Sequence, residues 1–158
     1  MKILITGCAG FIGYHLSLKL LENHKIIGID NMNAYYDVKL KKKRLSILKK
    51  NKNFYFKKID IVNYQTLSKL KNLKIDKIIN LAAQAGVRYS IKKPDAYIQN
   101  NINGFYNVLK FGKEAKIKHV IYASSSSVYG DNKGMSLSKE TDKILDQKSI
   151  YSFTKYSN

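Results

Sequence analysis

Met1-Lys2-Ile3-Leu4-Ile5-Thr6-Gly7-Cys8-Ala9-Gly10-Phe11-Ile12-Gly13 opens the chain and decides how the rest is read. Ile3, Leu4 and Ile5 form a short uninterrupted apolar run, the pattern of a strand buried on both faces. Gly7, Gly10 and Gly13 follow at three-residue intervals, and Phe11, Ile12, Leu16, Leu18, Leu20 and Leu21 predict an amphipathic helix. Strand, glycine turn and helix in that order make an anion cradle. The glycines allow a tight turn and close approach of a pyrophosphate, while the helix start offers unpaired N–H groups and the positive end of its dipole.

Working outward, Lys25 to Ile29 predicts a second strand that ends on Asp30. A carboxylate there can accept hydrogen bonds from the adenosine ribose hydroxyls of a dinucleotide, which favours NAD over NADP. Phe54-Tyr55-Phe56 starts a third strand closing near Ile59 and Asp60, followed by a helix between Tyr64 and Leu73. Lys77 to Leu81 reads as a fourth strand, Pro94 opens a long helix reaching about Gly112, and His119 to Ala123 is a fifth strand. Proline is tolerated in a first helical turn. The β-α alternation predicts an α/β fold with a parallel, doubly wound, Rossmann-like sheet. Ser124 to Lys148 is expected to be a loop long enough to imply a function.

The 158 residues carry a formal net charge of +18, yet Arg44 and Arg88 are the only arginines among 29 basic residues. Readers of nucleic-acid sequence favour arginine for bidentate contacts. The lysines are spread along the chain, densest at Lys39 to Arg44, so no specific nucleic-acid partner is expected. That dense run is expected to be the solvated face of a helix with Leu40, Ile47 and Leu48 turned inward. No run of 18 apolar residues is present and the start lacks a signal-peptide plan, which predicts no membrane span and a cytoplasmic protein. The single cysteine, Cys8, excludes an internal disulfide and is read as a small turn residue, with a reactive thiol as the alternative. His15, His24 and His119 are scattered, so no metal site is expected.

Tyr151 and Lys155 stand four residues apart near the end of the chain. At helical spacing they share a face, and an ammonium beside a phenol favours the phenolate, an arrangement suited to acid/base work.

These segments together resemble the extended short-chain dehydrogenase/reductase family, and within it the NAD-dependent sugar-nucleotide epimerases. The resemblance is carried by the glycine turn, Asp30, Asp60-Ile61, the Leu81 to Ser90 run, Asn100 to Gly104, Ser124 to Gly130 and the Tyr151/Lys155 pair. The wording around Tyr35 to Leu40 and from Ala82 to Ser90 is similar to the UDP-glucuronate 4-epimerase branch. The resemblance implies that Gly7, Gly10 and Gly13, with the backbone of Phe11 and Ile12, hold the NAD pyrophosphate. It places Asp30 on the adenosine ribose, Asp60 and Ile61 beside the adenine, and Leu81, Ala82 and Ala83 along the cofactor, with Asn101 supporting that wall. Tyr151 is implied as base and then acid on the sugar 4-hydroxyl, and Lys155 as the group that binds the nicotinamide ribose and lowers the Tyr151 pKa. Ser125 is implied as the hydroxyl that orients the 4-OH, with Ser126 as its rival, and Arg88 as a contact to an anionic part of the substrate.

Related 4,6-dehydratases place an Asp-Glu pair after the active hydroxyl residue. Ser126 and Ser127 stand there in this chain and supply no carboxylate acid. Asn80 stands where many family members carry His, a change expected to touch packing. The resemblance covers only the N-terminal half of a family member, so residues 1–158 are expected to be an incomplete NAD-binding domain without the substrate domain. The implied partner is a UDP-sugar, provided that a second lobe completes the site. Homodimerisation through the helix after Pro94 and the catalytic helix is also implied. A 4-epimerase and a catalytically inactive NAD-binding remnant of one are therefore the two functional alternatives.

Overall fold

In the computed structural model, which describes residues 1–130 and 147–158, five strands form one all-parallel sheet. They are β1 (Lys2–Thr6), β2 (Lys25–Asp30), β3 (Phe54–Lys58), β4 (Lys77–Asn80) and β5 (Val120–Tyr122), in the spatial order β3-β2-β1-β4-β5. Successive side chains of a strand point to opposite faces. Leu4 accordingly joins Ile27, Ile29, Ile78, Val108 and Phe111 on one side, while Ile3 and Ile5 join Ile26, Leu45, Leu48 and Phe54 on the other. The apolar runs therefore feed two cores, one per face, as a doubly wound sheet requires. Full burial of each such side chain is worth about 1.5–3 kcal/mol.

The helices are α1 (Phe11–Leu20), α2 (Val38–Leu48), α3 (Tyr64–Ser68), α4 (Val87–Lys92), α5 (Pro94–Tyr97), α6 (Gly104–Glu114) and α7 (Ile150–Tyr156). A π-helical stretch, Ile98–Asn103, joins α5 to α6. The long helix expected after Pro94 is thus present but widened in its middle, and Asn101 lies buried in the widened part.

Two faces differ from the expectation. On α1 the buried residues are Gly13 and Ser17, whereas Phe11 and Ile12 are exposed. Small side chains let the helix approach the sheet closely, and Ser17 Oγ returns its hydrogen bond to the Gly13 carbonyl at 2.6 Å. On α2, Leu45 and Leu48 face inward as Leu48 was expected to, but Leu40 and Ile47 face outward. Lys41, expected in solvent, is buried instead, because its ammonium meets the Asp30 carboxylate 3.6 Å away.

Asn80, at the end of β4, is part of a packed polar knot. The Thr6 hydroxyl donates to Asn80 Oδ1 at 2.6 Å and accepts from the Leu81 and Ala82 N–H groups at 3.1 and 2.9 Å. Asn80 therefore ties the end of β4 to the end of β1 through a side-chain hydrogen bond. Most of the expected Ser124 to Lys148 loop lies outside the described residues. No helix among the described residues is long and apolar enough to cross a membrane.

Candidate functional site

The sheet order reverses at β1, between β2 and β4, and ligands of open α/β sheets bind in the crevice beyond the strand ends at such a point. A cleft of about 490 Å³ lies there. Its floor is the glycine turn, with Gly7, Gly10, Phe11, Ile12 and Gly13 all on its lining. Gly7 has φ +70, and a Cβ on it would fall 2.9 Å from the Ala82 nitrogen. A Cβ on Gly13 would fall 2.2 Å from the Gly7 carbonyl oxygen. Only bare backbone fits this turn. The N-cap of α1 is Gly10, whose lack of a side chain leaves the first-turn N–H groups uncapped. That is a cradle suited to a pyrophosphate.

The second wall comes from the ends of β2 and β3. Asp30, Asp60 and Ile61 line the cleft. Asp30 accepts from Met32 N at 2.8 Å and from Ala9 N at 3.2 Å, which ties the carboxylate to the glycine turn. Asp60 accepts from Asn31 Nδ2 at 3.0 Å and from Val62 N at 2.9 Å. The third wall, beyond β4, is Leu81, Ala82 and Ala83, continued by Gln84. Asn101 stands behind it. Its Oδ1 accepts from Gln84 N at 2.7 Å, and its Nδ2 donates to the Gln84 carbonyl at 3.1 Å and to Thr154 Oγ1 at 3.0 Å. One buried amide thus links the wall to α7.

Helix α7 carries Tyr151 and Lys155. It is seven residues long, and a reciprocal capping box between Ser149 and Ser152 satisfies its start. Lys155 is buried and its ammonium donates to the Ala123 carbonyl at 2.7 Å, at a residue that lines the cleft. Burial holds the Lys155 pKa below the usual lysine value. Tyr151 is half-buried, with its ring edge-on to Tyr97 at a centroid separation of 6.1 Å. The Tyr97 hydroxyl faces the Ala85 and Gly86 carbonyls at 2.6 and 2.5 Å, and desolvation, reinforced by Tyr35, pushes its pKa up to about 12.

Ser125 Oγ accepts from Ser127 N at 3.2 Å and so caps its own turn. Ser126 opens that 3-10 turn, Ser126–Tyr129, and is exposed. α7 packs against the turn, so both serines remain near the Tyr151 helix. Arg88 is exposed on α4, apart from the residues that line the cleft. Cys8 is fully buried, its thiol pushed far above the ordinary cysteine pKa by burial and by Asp30, which suits a packed turn residue. Among the described residues no cluster of His, Cys, Asp and Glu could hold a metal.

Sequence reasoning missed several groups. Lys41 and Arg44 line the cleft from α2, where they look like members of a lysine run. Tyr35 and Tyr36 line it from the loop after β2, their rings 4.6 Å apart, and Tyr35 continues to Tyr89 at 4.9 Å. Their adjacency in the Tyr35 to Leu40 segment was the available signal. The Gln84 amide nitrogen lies in no hydrogen bond of good geometry, although it is near enough to the Tyr97 hydroxyl to favour its ionised form.

The family model described as GDP-mannose 4,6 dehydratase matches residues 4–158. Protein CapI of Staphylococcus aureus is 50% identical over all of this chain and 47% of its own length. A UDP-glucuronate 4-epimerase of Thermodesulfobacterium geofontis is 45% identical over 80% of this chain and 40% of its own. Among solved structures, UDP-glucuronic acid 4-epimerase from Bacillus cereus, in complex with UDP-glucuronic acid and NAD, superposes with a TM-score of 0.88 at 40% identity, covering 99% of this chain and 49% of that one. The chain spans about half the length of the curated relatives it matches. With its parallel sheet, its glycine turn and a match from residue 4 to residue 158, the chain belongs to the extended short-chain dehydrogenase/reductase family, in the group whose model is described as GDP-mannose 4,6 dehydratase.

Proposed function

We propose that this chain is the NAD-binding part of a sugar-nucleotide 4-epimerase that acts on a UDP-glucuronate-like substrate. The observation that carries the reading is the convergence of the glycine turn, Asp30, Asp60-Ile61 and Leu81 to Ala83 on one cleft. Lys155 is anchored at its rim through Ala123. The uncapped start of α1 and the bare turn fit a pyrophosphate, and the carboxylate at the end of β2 fits a ribose. NAD, when bound, supplies reversible oxidation of the sugar at C4.

The chain's own residues then divide the remaining work. Tyr151 takes the proton of the sugar 4-hydroxyl on its phenol oxygen and returns it. Lys155, one helical turn away on the same helix, supplies the positive charge that suits a phenolate. Ser125, or Ser126 beside it, orients the hydroxyl, and Arg88 meets an anionic group of a substrate completed by further protein. Epimerase chemistry is favoured over dehydration, despite the family description, because Ser126 and Ser127 offer no carboxylate acid for loss of water.

Calorimetric titration with NAD, run beside UDP-glucuronate turnover read by product chromatography, tests the proposal. NAD binding with turnover that is lost in Tyr151→Phe supports it in full. NAD binding without turnover leaves this chain as the catalytically inactive NAD-binding alternative. Absence of NAD binding refutes both.

A further inference from the structure

We propose that the loop between β2 and α2 is a strap across the cleft, clasped to the opposite wall by Tyr35, and that opening of this clasp governs entry and release of the dinucleotide. This rests on the dinucleotide reading of the cleft and adds a gate to it. β1 stands between β2 and β4 in the sheet, with the glycine turn at its end. A loop that leaves β2 and touches the residues that follow β4 must therefore pass over that turn.

The crossing is made at the tip of the loop. Tyr35 and Tyr36 line the cleft from the β2 side, and Ala85 and Asn100 line it from beyond β4. The Tyr35 ring lies 4.9 Å from the Tyr89 ring of α4. Gly86 is the N-cap of that helix, and a Cβ on it would fall 2.6 Å from the Tyr35 hydroxyl. Tyr36 packs edge-on to Tyr35 at 4.6 Å. Its phenol is held above the ordinary tyrosine pKa by partial desolvation and then by Tyr35 and Tyr151, so the tip also comes within electrostatic reach of α7.

The two ends of the strap are pinned. Met32 turns the chain at φ +58 and gives its N–H to Asp30 Oδ1 at 2.8 Å, and Lys41 Nζ donates to the Asn33 carbonyl at 3.1 Å. Asp37 caps α2 by accepting from Lys39 N at 2.7 Å. The tip is held differently. Among the described residues no backbone–backbone hydrogen bond joins residues 32–36 to the far wall. The clasp is thus made of side chains, and stacked rings can part without breaking a hydrogen-bonded ladder. Loops of this kind set the rate at which a site fills and empties. A gate that reseals over its ligand scales association and release alike through its open fraction and leaves the affinity nearly unchanged. The competing account, in which Tyr35 is only a wall of the site, has its loss speed release and not association.

Stopped-flow mixing of the purified chain with NADH, whose own fluorescence reports binding, gives the association rate, and a chase with excess NAD gives the release rate. Tyr35→Ala and, separately, Tyr89→Leu should each raise both rates by about threefold or more, with the equilibrium affinity kept within about twofold. Tyr89 does not line the cleft, so its ring acts on the rates through Tyr35. Circular-dichroism melting confirms that each variant is folded. If Tyr35→Ala does not fold, Tyr89→Leu alone decides. Release speeded without association in Tyr35→Ala, or both rates unchanged in Tyr89→Leu, overturns the gate and leaves the dinucleotide site intact. Binding of neither NADH nor NAD by the unmodified chain overturns the cofactor reading itself, and this inference with it.

Discussion

Replacing Thr6 by Val removes one hydroxyl and almost no volume, so its effect isolates the polar knot beneath the cleft. The hydroxyl is fully buried, donates to Asn80 Oδ1 at 2.6 Å, and accepts from Leu81 N and Ala82 N at 3.1 and 2.9 Å. Each intact hydrogen bond contributes about 0.5–1.5 kcal/mol net, but a buried partner left unsatisfied costs about 1–3 kcal/mol. The two N–H groups are only part-buried and water can compensate one of them, whereas Asn80 is buried and keeps an orphaned oxygen. A loss of about 2–4 kcal/mol follows, a large share of the roughly 5–15 kcal/mol that holds an ordinary domain.

Urea denaturation, with unchanged slope and lowered midpoint, measures that loss. Adding Asn80→Leu removes the orphaned oxygen as well, so the double variant should be less destabilised than the two single losses summed, by about 1 kcal/mol. The affinity for NAD should weaken in parallel, because the knot holds Ala82 against Gly7. A loss below about 0.5 kcal/mol, or strict additivity with Asn80→Leu, would refute the reasoning.

Gly13→Ala should cost at least the roughly 1–3 kcal/mol of an overpacked site and abolish NAD binding by calorimetry, because the new Cβ meets backbone at 2.2 Å that cannot rotate away. Asn101→Leu should destabilise by about 2–4 kcal/mol, leaving both polar backbone groups of Gln84 unpaired, and should speed amide hydrogen exchange in α7 before exchange in the sheet changes. For Tyr97 the sign follows from its raised pKa. Its folded-state value is about 12 against about 10 in an unfolded chain, so its contribution is intact below pH 10 and is lost as pH rises from 10 to 12. The stability gap between wild type and Tyr97→Phe, followed by denaturant midpoint, should therefore narrow over that interval; a gap that widens there would contradict the burial argument.

Sequence alone determined the parallel doubly wound sheet, the position of the glycine turn and the acids at the ends of β2 and β3. Those features are local: apolar runs of strand length, glycines where only bare backbone fits, and short spacings between a strand and the residue that ends it. Tertiary structure decided the features that depend on distant partners. Which face of α2 turns inward was not legible, because Leu40, Leu45, Ile47 and Leu48 offer more than one apolar stripe; the inward face is the one that packs Leu45 and Leu48 into the core, with Lys41 meeting the Asp30 carboxylate beside them. The same holds for the Thr6–Asn80 contact, 74 residues apart, and for the Asn101–Thr154 contact, 53 residues apart. Buried polar groups must find partners somewhere, but a chain read in one dimension does not say where. The sequence therefore specified the cradle, and packing alone placed a lysine against its acid and tied the Tyr151 helix to its wall.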